Sequence, residues 1–307
     1  MKVSNFFKLN LLIFIYFLTI SPLKANDDFN KWLDSYKKYA VQKGVSKETI
    51  NIAFKNVVFL EQVIKYDRKQ PEFFEDTITY VSKRANLSRV NKAKKLLKKN
   101  KNLFNKIENN FSVEKEILLS LWGIETNFGK HVGKMDIISS LATLSFDKRR
   151  RDFFSSQLLI LLKLIDKKLI EPDVLYGSWA GAYGNFQFMP STIKNYAIDY
   201  DGNNKIELKK SLMDSAASAA NYINKIGWKK DEPCFYRVKL KNKINSKYIN
   251  SSARNIKNRL KVKKWKKKGV VNFDGSEIDS DLKAALILPD GIDRYDSLLA
   301  FVLWQMK

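Results

Sequence analysis

A single cysteine, Cys234, and a single histidine, His131, stand in a chain of 307 residues. One cysteine allows no intrachain disulfide, and Cys234 reads as a small apolar residue near a strand. One histidine excludes a zinc site built on several histidines and leaves a Cys–His nucleophile pair without local support. His131 itself reads as a surface or hydrogen-bonded residue. Acids are also scarce: 32 Asp and Glu face 56 Lys and Arg, for a net charge of +24. That balance invites a nucleic-acid ligand. The basic residues are spread along the chain, however, and lysine accompanies abundant Asn and Ile, a bias that raises charge without selecting a ligand. An extended acidic polymer or an anionic membrane surface would be attracted equally. Internal repeats, a long disordered linker and a second apolar segment of membrane-spanning length are absent.

The chain does contain one short apolar run. Lys2 and Lys8 precede Leu9 to Ile20, followed by Ser21, Pro22 and the small residue Ala25. This is the order of a secretory leader, so residues 1–25 are expected to be a signal peptide. Export to the periplasm follows and argues against nucleic acid. An uncleaved anchor is the alternative, because Leu23 suits the cleavage site poorly. No cysteine stands just after the apolar run, so a lipoprotein is not expected.

Hydrophobic residues make up 45% of the chain and aromatic residues 13%, enough for one large domain or two smaller ones. Aromatic rings fill cores, and they also line carbohydrate grooves. Phe29, Trp32, Leu33 and Tyr36 recur at helical spacing. Ser46 precedes a helix through Phe54, and Pro71 opens a segment carrying Phe73 and Phe74. The Lys-rich stretch from Ala93 to Lys106 reads as a solvated face. Ser112 is expected to cap a helix with Glu114 and Glu116 in its first turn, ending near Thr126 ahead of Gly129. Further helices are expected over about Arg151–Lys168, from Ser191 to Ala197, and from Asp214 to Ile226. After Pro233 strands are expected at Phe235–Leu240 and Ala284–Leu288, around a very basic helix from Ser252 to Lys268.

Glu125 is unusual within this pattern. It sits among Trp122, Ile124 and Phe128 near a helix C-terminus. Apolar surroundings and the negative end of the helix dipole both disfavour its carboxylate and raise its pKa, as a general acid requires. Taken locally, a plain helix-end glutamate with its head in water is the favoured reading.

Three segments together decide more: Trp122-Gly-Ile-Glu125-Thr-Asn-Phe-Gly129, then Leu144-Ser-Phe146 with Arg149 to Arg151, then Gly177-Ser178-Trp-Ala-Gly-Ala-Tyr183-Gly184-Asn-Phe-Gln187-Phe-Met-Pro190. They resemble the lytic murein transglycosylase B family of the lysozyme-like superfamily. Lys65 to Phe73 and Leu286 to Gly291 extend the resemblance over most of the chain.

The resemblance implies a mainly α fold: an N-terminal helical region (26–111), a lysozyme-like catalytic core (112–232) and a small α+β region (233–307) whose C-terminus, from Ile292, departs from the family pattern. It implies cleavage between N-acetylmuramic acid and N-acetylglucosamine without water, leaving a 1,6-anhydro end. Glu125 matches the single acid. Ser178 and Gln187 match positions expected to orient that acid and the substrate amide. Arg150 and Arg151 match a basic pair that could hold the ionised acid or meet substrate carboxylates. Tyr183 and Tyr222 are candidate groove walls or core residues. No cofactor is required. Asp199, Asp201, Asn203, Lys205, Glu207 and Asp214 resemble the family's calcium loop, with oxygen ligands at alternate positions; a plain Asx-rich turn is the alternative. Peptidoglycan strands are the implied partner, with cell-wall synthesis or divisome proteins as candidates beside them. A hydrolytic muramidase and an inactive peptidoglycan-binding protein are the rival readings.

Overall fold

A computed structural model describes residues 26–69, 77–172, 175–232, 237–250, 257–278, 282–287 and 299–301. The expected leader, the Pro71 segment, Cys234, Ser252–Ile256 and Pro289-Asp290-Gly291 lie outside them. The helices are α1 (26–42), α2 (Lys47–Ala53), α3 (Glu61–Arg68), α4 (Thr77–Arg84), α5 (Leu87–Lys99), α6 (Lys101–Phe111), α7 (Lys115–Thr126), α8 (Ile137–Phe146), α9 (Arg151–Asp166), α10 (Pro190–Tyr196), α11 (Leu212–Lys225) and α12 (Val262–Lys266). Short strands β1 (Met135–Asp136) and β2 (Tyr176–Gly177) pair antiparallel. The rest follow late in the chain: β3 (Arg237–Leu240), β4 (Ile249–Asn250), β5 (Leu260–Lys261), β6 (Val270–Asn272), β7 (Lys283–Ala284), β8 (Leu286–Ile287) and β9 (Leu299–Phe301). The fold is mainly α, as expected. Among the described residues no helix is long and apolar enough to cross a membrane.

The described residues form two compact units, one from 26–69 and 129–215, the other from 77–128 and 216–301. In the first unit, α8 is the central helix. Residues 137–145 are all buried, as a helix apolar on every side must be. Its Ser139 and Thr143 hydroxyls accept hydrogen bonds from the Val58 and Leu60 amides and pin the α2–α3 connection. Along α1, Phe29, Trp32 and Tyr36 stack at 5.9 and 5.2 Å, and Phe29 and Trp32 both meet Phe146 of α8. The helical spacing of those rings is therefore the packing face. Ser46 caps α2, and the same hydroxyl donates to Asp166 at the end of α9, joined by Thr49 Oγ1.

In the second unit α5 packs on α6 and α7. Ser112 does not cap α7, contrary to expectation. It closes α6 instead, in the left-handed conformation at φ 52°. Glu114 is the N-cap residue of α7, with no side-chain cap bond. Its carboxylate is already engaged by Trp228 Nε1 at 2.7 Å and the Asp231 amide at 2.8 Å. A tertiary partner thus outcompetes the local capping geometry. The C-terminal region holds a five-stranded sheet in the order β4-β8-β9-β3-β6. Trp265 is fully buried within Val238, Ile244, Val270 and Leu286, and its indole donates to the Ala284 carbonyl at 2.8 Å. The long basic helix expected from Ser252 is, over the described part, only the five residues of α12, preceded by β5. Burying Trp265 and Val262 among strands matters more here than the helical period of the lysines. The expected strand at Ala284–Leu288 is split between β7 and β8, which pair with different partners.

Candidate active site

In the second unit, Glu125 occupies the last turn of α7, and the helix stops one residue later, at Thr126. The stop is unusually sharp: Asn127, Phe128 and Gly129 follow one another at φ 51°, 59° and 78°. Only the last is a glycine; asparagine tolerates the left-handed region, whereas Phe128 sits there against its preference. Several contacts hold them there. The Asn127 and Phe128 amides return to the Gly123 and Trp122 carbonyls, an αL-type helix closure with one further bond. The Phe128 ring folds back edge-on to Trp122, with centroids 5.6 Å apart. It can do so only because residue 123 has no side chain: a Cβ on Gly123 would stand 2.8 Å from Phe128 Cζ. Lys92 of α5 completes the cap. Its ammonium donates to the Asn127 carbonyl at 3.1 Å and lies 5.0 Å from the Phe128 ring centroid.

Glu125 is exposed, yet burial around the carboxyl raises its pKa above the ordinary 4.5. The two facts are compatible. Water can reach one side of a carboxyl while protein excludes it from the others, and the charged form then loses part of its hydration. Tyr222, half-buried on α11, belongs to the same unit.

In the first unit, the glycine-dense segment after β2 is a compact series of turns. Gly133 and Gly177 cross so closely that a Cβ on Gly133 would overlap the Gly177 carbonyl. At Gly184, with φ 80°, a Cβ would sit 2.5 Å from the Leu208 carbonyl oxygen, so the residue meets both a conformational and a spatial demand for glycine. Ser178 Oγ accepts from the Ala182 amide at 2.9 Å and keeps its own proton free to donate. Gln187, at φ 51°, donates through Nε2 to the Gly184 and Val132 carbonyls at 2.9 and 3.2 Å. Its Oε1 is thereby turned to the role of acceptor. Tyr183 is buried, its backbone bridged to Phe188, and burial pushes its phenol up to about 12.

Arg150 and Arg151 diverge. Arg150 is committed to Asp67 of α3, and Arg149 meets the other oxygen of the same carboxylate at 2.5 Å. Asp67 is only 1% exposed. A buried carboxylate with two guanidinium partners is well compensated, and removing it would strand two cations. Arg151 instead donates to the Phe146 carbonyl at 2.8 Å and borders an open groove with Phe59, Phe146, Lys148, Arg149 and the acids Glu61 and Asp147, the latter paired with Arg68.

The acidic loop also belongs to the first unit. Oxygens of Asp199, Asp201 and Asp214 lie within 4.8 Å of one another. Backbone amides of Gly202, Asn203 and Asn204 point at Asp199, and those of Tyr200 and Glu207 at Asp214. The Lys205 ammonium is drawn away to Glu171 at 2.5 Å, so its side chain is no ligand. Asn203 Nδ2 bonds Glu207, which keeps both at the loop. Convergent, pre-oriented carboxylates suit a hard cation.

Residues 28–302 match the family described as the transglycosylase SLT domain. The chain belongs to this family. Membrane-bound lytic murein transglycosylase B of Escherichia coli (strain K12) is 41% identical to the SLT domain chain over 123 residues, 40% of this chain and 34% of that protein. The chain therefore matches about a third of the length of that curated relative. Among solved structures, SltB3 from Pseudomonas aeruginosa in complex with NAG-anhNAM-pentapeptide has a TM-score of 0.81 at 30% identity, covering 90% of this chain and 72% of SltB3. The Escherichia coli lytic transglycosylase Slt35 in complex with calcium has a TM-score of 0.67 at 26% identity, covering 85% and 80%.

Sequence reasoning passed over three features of this SLT domain. Lys92 carries no motif, because its role depends on α5 packing against α7. Asp67 lies inside the upstream motif, but only the structure shows that it gathers Arg149 and Arg150. Tyr66 and Trp179, with ring centroids 6.5 Å apart, offer a pair of aromatic faces that neither position announces alone.

Proposed function

We propose that this chain is a lytic transglycosylase acting on peptidoglycan, with Glu125 as its only acid and base. The observation that carries the reading is a solvent-reachable carboxyl of raised pKa, held at an abruptly terminated helix. Protonated, Glu125 gives its proton to the oxygen joining N-acetylmuramic acid to N-acetylglucosamine, and the C1–O bond breaks. The resulting carboxylate takes the proton of the muramyl C6 hydroxyl, whose oxygen closes on C1. The proton balance returns to its start, one C–O bond replaces another, and no water is consumed. A single carboxylate suffices, unlike the pair used by most glycosidases.

Gln187 Oε1 and the Ser178 hydroxyl are the acceptor and donor that the first unit offers to an N-acetyl group. The aromatic pair Tyr66 and Trp179 suits a sugar face, and Arg151 with Lys148 suits stem-peptide carboxylates. SltB3, similar over 90% of this chain, binds NAG-anhNAM-pentapeptide, a ligand of the class this reading needs. The leader of residues 1–25 would deliver the enzyme to the periplasm, where that polymer lies. The Asp199–Asp214 loop would hold calcium as a structural ion, and no step of the reaction depends on it.

Digestion of purified sacculi by wild type and Glu125→Gln, with mass analysis of the products, tests the proposal. Anhydro-muramyl ends from wild type and none from the variant support it. Reducing ends would make the enzyme a hydrolase, and binding without release of muropeptides would make it a binding protein.

A further inference from the structure

The segment 77–107 contains ten Lys and Arg residues and no Asp or Glu. It covers α4, α5 and most of α6. α5 contains no fully buried residue along its 13 positions. Its inner side is accounted for by packing on α6 and α7 and by the Lys92 cap. Its outer side is different. Leu87, Asn91, Lys94 and Lys98 follow at helical spacings of four, three and four, which puts them on one line along the helix. Val90 lies beside that line, and all five are exposed.

Leu87 is 79% exposed and Val90 39%, and Val81 of α4 is 52% exposed. Arg89 of α5 donates to the Arg84 carbonyl at 3.1 Å, so the end of α4 abuts the start of α5. The aliphatic residues are thus gathered around that junction, and the lysines extend along α5 from it.

We propose that the outer face of α4 and α5 docks on an anionic phospholipid bilayer. The pattern is that of an interfacial helix: aliphatic side chains able to enter the headgroup boundary, and lysines able to reach lipid phosphates. A glycan strand is a poorer fit, because sugars pack on aromatic faces and this line presents leucine, valine and lysine. The freedom of residues 77–107 from acids lowers the repulsion from a negative surface. α5 also carries the cap of the Glu125 turn, so a docked α5 would hold the catalytic helix close to the bilayer.

Sedimentation of the full chain with vesicles of phosphatidylcholine, alone or mixed with phosphatidylglycerol, tests the proposal. Wild type is expected to bind the phosphatidylglycerol vesicles at least about tenfold better, with salt weakening the association. Each lysine near such a surface contributes roughly fivefold. Lys94→Glu with Lys98→Glu should therefore lower binding about twentyfold or more. Leu87→Ser with Val90→Ser should lower it about tenfold. Both pairs are exposed, and cleavage of a peptide-free oligosaccharide should be unchanged in either.

Equal binding by wild type and both variants overturns the proposal. Equal binding of wild type to the two kinds of vesicle does so too, because the apolar run Leu9–Ile20 alone would then suffice. Loss of sacculus binding with vesicle binding intact would assign the face to the wall polymer and also overturns it.

Discussion

For the general acid proposed at Glu125 two requirements compete: the group must meet substrate, and it must keep its proton. Solvent access serves the first and desolvation of the carboxyl the second. Because its folded pKa lies above the unfolded value, the residue binds more protons folded than unfolded in the window between the two. Stability therefore falls as pH rises through that window. Glu125→Gln removes this penalty. The variant is expected to melt above wild type at pH 7 and level with it at about pH 4, checked by thermal melts at both values. Its rate of muropeptide release should fall by about 100- to 10,000-fold. In wild type the same release should decline as pH rises past the raised pKa, because the proton to be donated is then lost.

Among the helices, the end of α7 can be tested through Gly123. Alanine is favoured over glycine in a helix by about 1 kcal/mol, but its Cβ would stand 2.8 Å from Phe128 Cζ. The gain and the clash nearly offset in stability, while the ring that closes the turn must move. Gly123→Ala is expected to keep the melting temperature within a few degrees of wild type and to lower activity, with circular dichroism and sacculus digestion reading the two effects separately. At α9, the Asp166 carboxylate accepts from Ser46 Oγ at 2.5 Å, the Ser46 amide at 3.1 Å and Thr49 Oγ1 at 2.7 Å. Those bonds, led by the Ser46 hydroxyl, depress its pKa below 3.8. Their stabilisation is present above the unfolded pKa and is lost as pH falls through the folded one. Asp166→Asn should cost about 1 kcal/mol at neutral pH and much less near pH 2, measured by denaturant midpoints. Element boundaries were legible where the signal is local: Ser46 caps α2, Gly129 follows the α7 stop, and α9 spans Arg151–Asp166. They were illegible where a distant group intervenes, as when Trp228 and Asp231 engage Glu114 and Ser112 turns to close α6.

For the whole molecule, the charge of +24 gives a long-range attraction that salt weakens. Association with sacculi, which carry peptide carboxylates, should fall steeply between low and physiological salt, whereas cleavage of a peptide-free oligosaccharide should change little; comparing the two rates across a salt series checks this. Calcium should raise the melting temperature, since a ligand bound only by the folded state at a hundredfold above its Kd adds about 2.7 kcal/mol. Chelator should reverse the gain, and Asp201→Asn should abolish it. The sequence by itself determined the helical class, the Glu125 motif and the glycine-dense turns, because each depends on neighbours a few residues apart. Only the tertiary structure decided that Arg150 is spent on Asp67, that Tyr183 is buried and that Lys92 caps the Glu125 turn. Those outcomes depend on which helix faces which, and on buried charges seeking partners 35 to 83 residues away, a competition that no local pattern records.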